Sequence, residues 1–380
     1  MVRSLSQQDR YLIAAGRMAR ICFICISLRA GGTERVVTRL ANAFCTDHEV
    51  SVIIVQDGEP FYKLDSRINL FPKKGRTVGQ PKWKRALAMM GHIRSSVRRL
   101  QPDVILSFGE LISPIARIAT LGTGARFVIF NRESPLRSIR GTAGIVNPLT
   151  YPLANLVVMQ TETARRTLQA RYRFSRFHII PNPVDLPTEV PPMESRAWQI
   201  ISVGYLGGEK NQQALLRAFA AASNRDKWKL AIVGDGPNRK ILYQLSRDLG
   251  IEKRVEFLGE REDVPELLSN SRIFAFTSLS EGFPNALSEG LAHGCACIAF
   301  DCVAGPSDLI FHDRNGMLVP VDDQESYSAA LETLMSSESM QKRYSESARR
   351  EIERFSKDNV FEQYSQLIFQ SKTDRAERDS

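Results

Sequence analysis

The feature of this sequence that most constrains its fold is a regular alternation of apolar, β-type runs with segments of helical periodicity. In the first half, β-branched and aromatic runs such as residues 20–28 and 103–108 alternate with helical segments such as residues 33–44. The same alternation resumes after residue 195 and ends in a polar helix over roughly residues 340–371. Strands and helices that alternate at this spacing predict a parallel sheet with helices on both faces. The predicted fold class is therefore α/β.

A proline-rich segment interrupts the alternation and divides the chain. Residues 178–195, HIIPNPVDLPTEVPPMES, contain five prolines, and such a stretch is extended and stiff, as an interdomain linker is. The 380 residues are enough for two domains, each with its own core. We therefore expect two doubly wound, Rossmann-like domains, over residues 18–188 and 189–355. Because ligands bind outside the carboxyl ends of strands in such sheets, we expect the site in a cleft across which the two domains face each other.

The two ends of the chain carry separate expectations. Residues 1–17 are polar for a segment before a first strand, and Met18 directly precedes the apolar run, so we expect a loose extension or an upstream start codon. Residues 356–380 are expected to form a helix that crosses back to the N-terminal domain and a disordered tail. The N-terminus lacks the apolar core of a signal peptide, and no run reaches the ~20 apolar residues that span a bilayer. These observations favour a cytoplasmic protein, in which the six cysteines are buried, reduced thiols.

Charge is unevenly divided between the two halves. Residues 1–188 carry 28 Lys and Arg against 12 Asp and Glu, a net charge of +16, whereas the remainder carries 23 against 30, a net charge of −7. A basic half indicates an anionic partner, such as nucleic acid, a membrane surface or a phosphorylated ligand. A solvated basic face without a ligand is the alternative.

The segment EGFPNALSEGLAHG, residues 281–294, carries the strongest functional pattern. A predicted strand ends just before Glu281, Pro284 suits a first helical turn, Asn285 suits the cap region, and Glu289 lies about one turn into the helix. The free amides and the positive end of such a helix form an anion site. Glutamates beside it would accept hydrogen bonds from hydroxyls, so the pattern favours a sugar nucleotide. The alternative is a helix cap with a solvated glutamate.

Three further turns follow predicted strands. SLRAGGTERVV, residues 27–37, leads through Gly31–Gly32 into a helix, where the backbone could approach a phosphate closely; a tight turn without a ligand explains it equally well. VGYLGGEKNQQAL, residues 203–215, places Lys210 at a helix start, where a cation would suit a phosphate, although an exposed lysine is common there. The glycines and proline of VGDGPNRK, residues 233–240, predict a tight turn at the end of a strand, with a structural role.

Taken together, these four segments resemble the retaining glycosyltransferases of family 4, which have the GT-B fold, and the resemblance covers residues 18–370. Its most specific part is the glutamate pair Glu281 and Glu289, with seven residues between them. The DCVAGPSDLI segment, residues 301–310, resembles a pattern of members that extend lipid-linked oligosaccharides and bacterial surface polysaccharides, often with N-acetylhexosamines. The other agreeing segments are the GG-x-ER opening (Gly31, Gly32, Glu34, Arg35), IIPNPV (179–184) and VGDGP.

The resemblance implies a role for each matching residue. Glu281 would bind donor-sugar hydroxyls near the transferred carbon, Lys210 would neutralise the diphosphate, and Glu289 would bind the ribose; Glu281 and Lys210 are the predicted catalytic residues. Backbone amides at the helix start would hold the phosphates or the sugar, and the turn at Arg261 would contact the base. The complete predicted donor-binding set is Gly31, Gly32, Tyr205, Lys210, Arg261, Glu281, Gly282, Phe283, Asn285, Ala286, Leu287 and Glu289.

Two positions depart from the family pattern. Tyr205 stands where the family usually has an arginine on the diphosphate, so either Arg29 or Arg261 compensates or the leaving group is less stabilised. At ~4 Å and an effective dielectric near 20, such a cation–phosphate contact is on the order of 4 kcal/mol before desolvation. Asp308 stands where the family usually has glutamate, which shortens the reach of that carboxylate.

The function implied by the resemblance is a retaining transfer from a UDP-sugar to a lipid-linked or polysaccharide acceptor, with an N-acetylhexosamine as the expected sugar. The setting would be bacterial cell-surface glycan synthesis. The sequence contains no Asp-x-Asp pair, so we expect metal-independent catalysis by cations and helix ends, with no cofactor. The alternatives are a GT-B nucleotide-sugar epimerase and a catalytically impaired scaffold. Nucleic acid is not an expected partner, because RNA-binding motifs with interleaved aromatics are absent.

A basic helix gives the N-terminal half a second expected surface. The segment PKWKRALAMMGHIRSSVRRL surrounds an apolar body with Trp83, Lys84, Arg85, Arg98 and Arg99, a pattern that suits an anionic membrane. Since the resemblance implies lipid diphosphate acceptors in the inner leaflet, we expect a protein peripheral on the inner face of the plasma membrane. The alternative is a helix packed on the domain with a solvated basic edge.

Overall fold

The computed structural model describes residues 18–29, 31–56, 58–73, 79, 81–172 and 176–369. The extension predicted for residues 1–17 and the predicted tail from residue 370 lie outside the described residues.

The described chain contains two parallel sheets with their helices. The first sheet comprises β1 Arg20–Cys25, β2 Glu49–Ile54, β3 Asn69–Pro72, β4 Val104–Phe108, β5 Arg126–Phe130, β6 Leu156–Met159 and β7 Phe177–Ile179. Its helices are α1 Gly32–Phe44, α2 Lys82–Leu100, α3 Ile112–Ala119, α4 Pro135–Ser138, α5 Gly141–Thr150 and α6 Glu162–Tyr172. The second sheet comprises β8 Ala197–Val203, β9 Lys229–Val233, β10 Val255–Gly259, β11 Ser271–Phe276, β12 Ala296–Asp301 and β13 Met317–Pro320. The remaining helices are α7 Gln212–Ala221, α8 Arg239–Asp248, α9 Val264–Asn270, α10 Asn285–Ala292, α11 Pro306–Leu309, α12 Gln324–Ser336, α13 Glu338–Ile352 and α14 Lys357–Phe369.

Both sheets have the doubly wound strand order. The first runs β3-β2-β1-β4-β5-β6-β7 and the second β10-β9-β8-β11-β12-β13, with parallel pairing throughout. The order therefore reverses between β1 and β4 in one sheet and between β8 and β11 in the other. Ligands of such sheets bind at the carboxyl edge where the order reverses. The predicted α/β class with two Rossmann-like domains is confirmed.

Burial on both faces explains why the strands read as continuous apolar runs. In β8, Ile200 packs in one core cluster and its neighbour Ile201 in another, and Ile273 and Phe274 of β11 divide in the same way. Successive side chains of a strand point to opposite faces, so helices on both faces require both residues to be apolar. The six cysteines are free and buried, as the sequence predicted. Among the described helices, none is both long enough and apolar enough to cross a bilayer.

The chain divides into two compact units. Unit 1 contains the described residues up to Gln160, Arg165–Pro181 and the C-terminal segment from Asp358, and unit 2 contains Thr161–Ala164 and Asn182–Lys357. The predicted linker, residues 178–195, includes the change of unit at Asn182.

The C-terminal helix α14 contributes to the core of unit 1. Its buried side chains join the cluster formed by the strands of the first sheet, and the ring of Tyr364 stacks on Phe130 with centroids 5.4 Å apart. The Arg132 guanidinium donates a hydrogen bond to the Tyr364 hydroxyl. The last helix is thus part of the packed interior of the unit that contains the N-terminal strands.

Two segments near the changes of unit are joined within unit 2. The Val184 amide donates to the Phe355 carbonyl at 2.8 Å, and Val184 forms an isolated parallel bridge with Ser356. Lys357 Nζ lies 3.3 Å from a carboxylate oxygen of Asp185. The outgoing and returning segments therefore leave unit 2 side by side.

Candidate functional site

The two predicted catalytic residues follow the two strands between which the order of the second sheet reverses. Lys210 ends the 3₁₀ turn Gly208–Lys210 after β8, and Glu281 follows β11. Their side chains form an ion pair, with Lys210 Nζ 2.5 Å from Glu281 Oε1. The Lys210 side chain is 30% exposed and that of Glu281 is 11% exposed. The structure thus places a partly accessible cation and a mostly buried carboxylate together at the ligand-binding edge of this sheet.

Two hydrogen bonds to main-chain carbonyls hold the Lys210 turn against the segment that follows β11. The Thr277 hydroxyl donates to the Lys210 carbonyl at 3.0 Å, and the Leu279 amide donates to the Glu209 carbonyl at 2.8 Å. Both bonds bring the chain on either side of the ion pair together. The separation of Lys210 and Glu281 is therefore set by the backbone as well as by their charges.

The glycines of VGDGP allow the turn after β9 to pass directly against the turn after β8. A Cβ on Gly234 would lie 2.0 Å from the Gly204 carbonyl oxygen, and one on Gly236 would lie 2.6 Å from that of Leu206. The Leu206 amide donates to Asp235 at 2.9 Å across this contact. The structural role predicted for this segment agrees with the geometry, because only glycine leaves room for such an approach.

The start of α10, a few residues after Glu281 in the chain, presents two free amides. The Asn285 amide is already bonded to the Phe283 carbonyl at 2.9 Å, whereas in the described part of the chain the amides of Ala286 and Leu287 have no hydrogen-bond partner. Unpaired amides at a helix start attract anions. Phe283 and Leu287 have buried side chains, so they can offer a ligand only their main chain. Of the predicted donor-binding amides of Phe283, Asn285, Ala286 and Leu287, only that of Asn285 is paired in the described part of the chain, and those of Ala286 and Leu287 lie in the first turn of α10, where the helix end favours an anion.

Close packing fixes the direction in which α10 begins. A Cβ on Gly305 would lie 2.3 Å from Pro284 Cδ, and Gly305 has a φ of 139°. The Asn182 side-chain amide donates to Asn285 Oδ1 at 2.8 Å. Glu289, four residues after Asn285 and therefore on the same face of α10, is half-buried. Both predicted glutamates consequently belong to one rigid strand–turn–helix element.

Two of the predicted donor-binding residues offer no free charge. Tyr205 is 62% exposed, and its ring lies against Gly207. Arg261 donates to both carboxylate oxygens of Asp263, at 2.7 and 2.6 Å, and this pairing raises the pKa of Arg261. Lys210 is therefore the predicted donor-binding cation that follows the strand adjacent to β11, whereas Arg261 follows the edge strand β10 and is paired with Asp263.

In unit 1, the glycine pair lies at the start of α1 with a carboxylate over it. A Cβ on Gly31 would lie 2.2 Å from Glu34 Oε2, and the Ser27 hydroxyl donates to the other oxygen of that carboxylate at 3.5 Å. Gly32 is the first residue of α1. An anion could approach Gly31 only if the Glu34 side chain turned away, because the two negative charges would repel. The phosphate role predicted for Gly31 and Gly32 thus needs a different Glu34 rotamer.

Asp308, at which the sequence departs from the family pattern, caps a helix. Its carboxylate accepts hydrogen bonds from the Glu162 amide at 2.9 Å and the Thr163 hydroxyl at 3.1 Å, in the first turn of α6, whose residues up to Ala164 belong with Asp308 to unit 2. Burial raises the pKa of Asp308, and these hydrogen bonds oppose that shift. The shorter aspartate therefore reaches a helix N-terminus, where a carboxylate is stabilising.

A buried carboxyl that the sequence reading missed lies at the reversal point of the first sheet. Glu110 follows β4 and accepts hydrogen bonds from the side-chain amides of Asn147, at 2.9 Å, and Asn131, at 3.3 Å. Burial raises the pKa of Glu110, and hydrogen bonds from Ser138, Asn147 and Asn131 oppose the shift. Polar residues directly after apolar strands, Glu110 after β4 and Asn131 after β5, were the available signal. This network attaches α5 to the sheet.

The residues predicted to face a membrane divide into two groups along α2. Trp83, Lys84 and Arg85 lie in its first turn, and Arg98 and Arg99 in its last. All five are exposed, and the Lys84 ammonium lies 5.4 Å from the Trp83 ring centroid. With a rise of ~1.5 Å per residue, the centres of the two groups are about 22 Å apart along the helix axis. They form two basic ends of one helix rather than a single cluster.

Among the described residues, no group of three or more His, Cys, Asp or Glu side chains is arranged to hold a metal ion.

Comparison with known proteins identifies the family. Residues 30–187 match the family model described as Glycosyltransferase Family 4, and residues 189–351 match the model described as Glycosyl transferases group 1. Together the two matches cover both units and most of the chain. The chain belongs to this family of glycosyltransferases and is a hexosyltransferase.

Two relatives from Campylobacter jejuni match nearly the whole chain. One, 26% identical over 366 residues, which are 93% of this chain and 99% of the relative, is named GalNAc-alpha-(1->4)-GalNAc-alpha-(1->3)-diNAcBac-PP-undecaprenol alpha-1,4-N-acetyl-D-galactosaminyltransferase. The other, 28% identical over 358 residues, which are 90% of this chain and 97% of the relative, is named N-acetylgalactosamine-N,N'-diacetylbacillosaminyl-diphospho-undecaprenol 4-alpha-N-acetylgalactosaminyltransferase.

Other similarities are more distant or partial. The chain spans only 39% of a longer Streptomyces coelicolor protein, exopolysaccharide phosphotransferase SCO2592, with 26% identity over 372 residues. The solved structure of Anabaena Alr3699/HepE in complex with UDP and glucose superposes with a TM-score of 0.75, at 19% identity, over 92% of this chain and 99% of that one. At that identity the likeness shows the shared GT-B fold.

The contact between Gly305 and Pro284 predicts that a side chain at position 305 destabilises the fold more than a side chain at an uncrowded glycine does. Gly305→Ala should lower the free energy of unfolding by about 3 kcal/mol, because an unfavourable φ is combined with a steric clash. Gly250→Ala is the matched control, since Gly250 has a φ of 67° and open space around its Cβ position; it should cost about 1 kcal/mol. Urea denaturation of the two variants measures the difference, and equal costs would contradict the proposed packing.

The raised pKa of Glu110 predicts a pH-dependent stability. The usual pKa of a glutamate carboxyl is 4.5. A carboxyl whose pKa is higher in the folded than in the unfolded state contributes its full stability at pH values below that usual pKa. This contribution is lost as pH rises through the folded-state pKa. Glu110→Gln mimics the neutral acid, so between pH 5 and pH 8 the variant should gain on the order of 1 kcal/mol relative to the wild type. Urea denaturation at both pH values measures this gain.

Glu59→Gln, at an exposed glutamate of the same unit, controls for the loss of one carboxylate. If Glu110→Gln and the wild type keep a constant difference across the pH range, Glu110 does not titrate as predicted.

Proposed function

We propose that this glycosyltransferase transfers a sugar from a UDP-sugar to a lipid-linked or polysaccharide acceptor in bacterial cell-surface glycan synthesis. The observation that carries the proposal is the Lys210–Glu281 ion pair at the reversal point of the second sheet, with the free amides of α10 following Glu281 in the same strand–turn–helix segment. The relatives named as N-acetylgalactosaminyltransferases with undecaprenol-linked acceptors support the acceptor class. The fold shared with a UDP-bound neighbour supports the nucleotide.

Lys210 has the donors that a diphosphate needs. A lysine ammonium carries three N–H donors, of which one is directed to Glu281. The remaining donors are available to the phosphate oxygens, and the amides of Ala286 and Leu287 add two more. Fixed cations and amides stabilise the charge that develops on the leaving diphosphate without reorganising during the reaction.

The carboxylates then bind hydroxyls. Lys210 holds one oxygen of Glu281, so the other oxygen of that carboxylate can accept a hydrogen bond from the donor sugar. Glu289, one turn into α10, would accept from the ribose. A mostly buried Glu281 carboxylate forms a stronger hydrogen bond with a sugar hydroxyl than a solvated carboxylate does, because competing water is excluded.

The proposed chemistry needs no side-chain base. The bond between the anomeric carbon and the diphosphate oxygen breaks, and the acceptor hydroxyl attacks the same face, which retains the anomeric configuration. The leaving diphosphate takes the acceptor proton, so charge and atoms balance. In this scheme Lys210 and the α10 amides supply the positive charge, and turnover is metal-independent.

Ligand-induced stabilisation tests the donor site. UDP and UDP-N-acetylhexosamines should raise the melting temperature of the protein more than GDP, ADP or dTDP do. Lys210→Ala and Glu289→Ala should each weaken UDP binding by roughly 10- to 100-fold, as expected for losing a charged hydrogen bond of about 1.5–3 kcal/mol. Lys229→Ala is the matched control, because Lys229 is exposed and paired with Glu256 in the same unit; it should bind UDP like the wild type.

The best UDP-sugar is then incubated with a lipid-diphosphate-linked acceptor, with and without EDTA. The product should have the anomeric configuration of the donor, and EDTA should leave the rate unchanged. Failure of every nucleotide to stabilise the protein, or an inverted product, would overturn the proposal.

Tyr205 provides a gain-of-function test. Tyr205→Arg adds the cation that family members usually place on the diphosphate, and we expect it to tighten UDP binding about tenfold, or roughly 1.4 kcal/mol. Tyr205→Phe keeps the ring and should change affinity less than threefold, since Tyr205 can contribute at most one hydrogen bond. Isothermal titration with UDP measures both. A Tyr205→Arg variant that binds UDP more weakly would show that the ring itself is required.

A further inference from the structure

Unit 1 exposes apolar side chains on α3, at the residue before it, on α5 and in the turns that follow these helices. Large exposed apolar side chains are common singly but rarely form a group on a soluble surface. We define the α3–α5 face by its six members: Leu111 (68% exposed), Ile118 (42%), Leu121 (41%), Ile145 (70%), Leu149 (69%) and Leu153 (43%).

Both helices are apolar on the side that faces away from the sheet. In α3, Ile112 and Ala116 are buried, while Ile118 and Leu111, the residue directly before the helix, are exposed. Residues 141–161, which include all of α5, contain no charged residue. A surface helix of a globular protein normally places charged residues on its outer face, so a helix such as α5, which exposes large apolar side chains and no charge, is expected to be covered.

Side-chain hydrogen bonds connect the elements of this face. Arg117 Nε donates to the Leu153 carbonyl at 2.6 Å, which joins α3 to the turn after α5. Arg94 donates to the Ala119 carbonyl at 2.9 Å, which joins α2 to the end of α3. The bond from Asn147 to the buried Glu110 holds α5 on the sheet. The six apolar side chains are therefore carried on packed elements.

Basic residues border the face. Residues 94–140 carry eight Arg but only three Asp and Glu, one of which is the buried Glu110. Arg98 and Arg99 lie at the end of α2, next to α3, and Arg140 precedes α5. An apolar centre with a cationic border is complementary to an anionic lipid surface, in which acyl chains lie beneath negative headgroups.

We propose that the α3–α5 face seats the protein on an anionic lipid bilayer, with Ile145 and Leu149 inserted below the headgroups. The inference deepens the proposed function, because an enzyme with a lipid-linked acceptor works at a membrane surface. In this arrangement α5 inserts into the bilayer, and the basic end of α2 contacts the headgroups at the border of the face. A second copy of this chain is a poorer occupant, because two faces with the same basic border repel each other.

An environment-sensitive probe at the centre of the face tests insertion directly. All six native cysteines are buried, so Leu149→Cys can be labelled selectively with a thiol-reactive NBD dye. Vesicles of phosphatidylcholine containing 30% phosphatidylglycerol should shift its emission to the blue and raise its intensity at least twofold. Ile241→Cys is the matched control, since Ile241 is 54% exposed on α8 of unit 2 and should give no shift.

Vesicle sedimentation of the unlabelled protein measures the contribution to binding. The double variant Ile145→Ser with Leu149→Ser should bind the anionic vesicles at least tenfold more weakly than the wild type, and Ile241→Ser should bind like the wild type. Stabilisation by UDP, measured on the same samples, reports the donor site independently. Loss of vesicle binding with retained UDP binding therefore supports the docking surface without depending on the transferase mechanism.

Three outcomes would overturn the inference: a wild type that does not sediment with anionic vesicles, a double variant that sediments as well as the wild type, or an unshifted probe at position 149. A dimer in solution that the double variant dissociates, without vesicle binding, would assign the face to a second copy instead.

Discussion

The ion pair between Lys210 and Glu281 is the interaction on which the candidate site depends. It joins the ends of β8 and β11, the two strands between which the second sheet reverses its order. A lysine held by a mostly buried carboxylate keeps a defined position, yet retains donors for an anion. The same contact fixes one oxygen of Glu281 and leaves the other for a hydroxyl. In the proposed function, this one pair of charges would serve both the sugar and the diphosphate of the donor.

Glycines make this arrangement possible because they have no side chain and so allow close approach of neighbouring turns. Gly234 and Gly236 let the turn after β9 lie against the turn that carries Lys210, and Gly305 lets Pro284 begin α10 in its observed direction. None of these three needs to touch a ligand. Their absent side chains bring the segments that follow separate strands close enough for the charged residues to meet. This explains why turns with no chemical groups of their own accompany the functional residues in the sequence.

Much of the fold could be predicted from the sequence, and so could the composition of the site. Buried parallel strands require apolar residues on both faces. Strands such as β8 and β11 could therefore be recognised in the sequence as continuous apolar runs between helices. The glutamate spacing of Glu281 and Glu289 identified the family. Glu110 was missed because a single polar residue after a strand is indistinguishable from an ordinary turn until Asn131 and Asn147 are seen around it. The position of the Glu34 carboxylate over Gly31 could not be predicted either, because a side-chain rotamer depends on neighbours in space.

By itself the sequence determined the fold class, the number of domains, the charge asymmetry and the residue types at the strand ends, since these follow from local periodicity and composition. Only the tertiary structure decided which of those residues meet: Lys210 reaches Glu281, while Arg261 is taken by Asp263 and Asp308 caps α6. It also decided that Ile145 and Leu149 face outward. The physical reason is that partner choice and exposure depend on contacts between segments far apart in the chain, and a linear pattern specifies which groups are available but not which distances separate them.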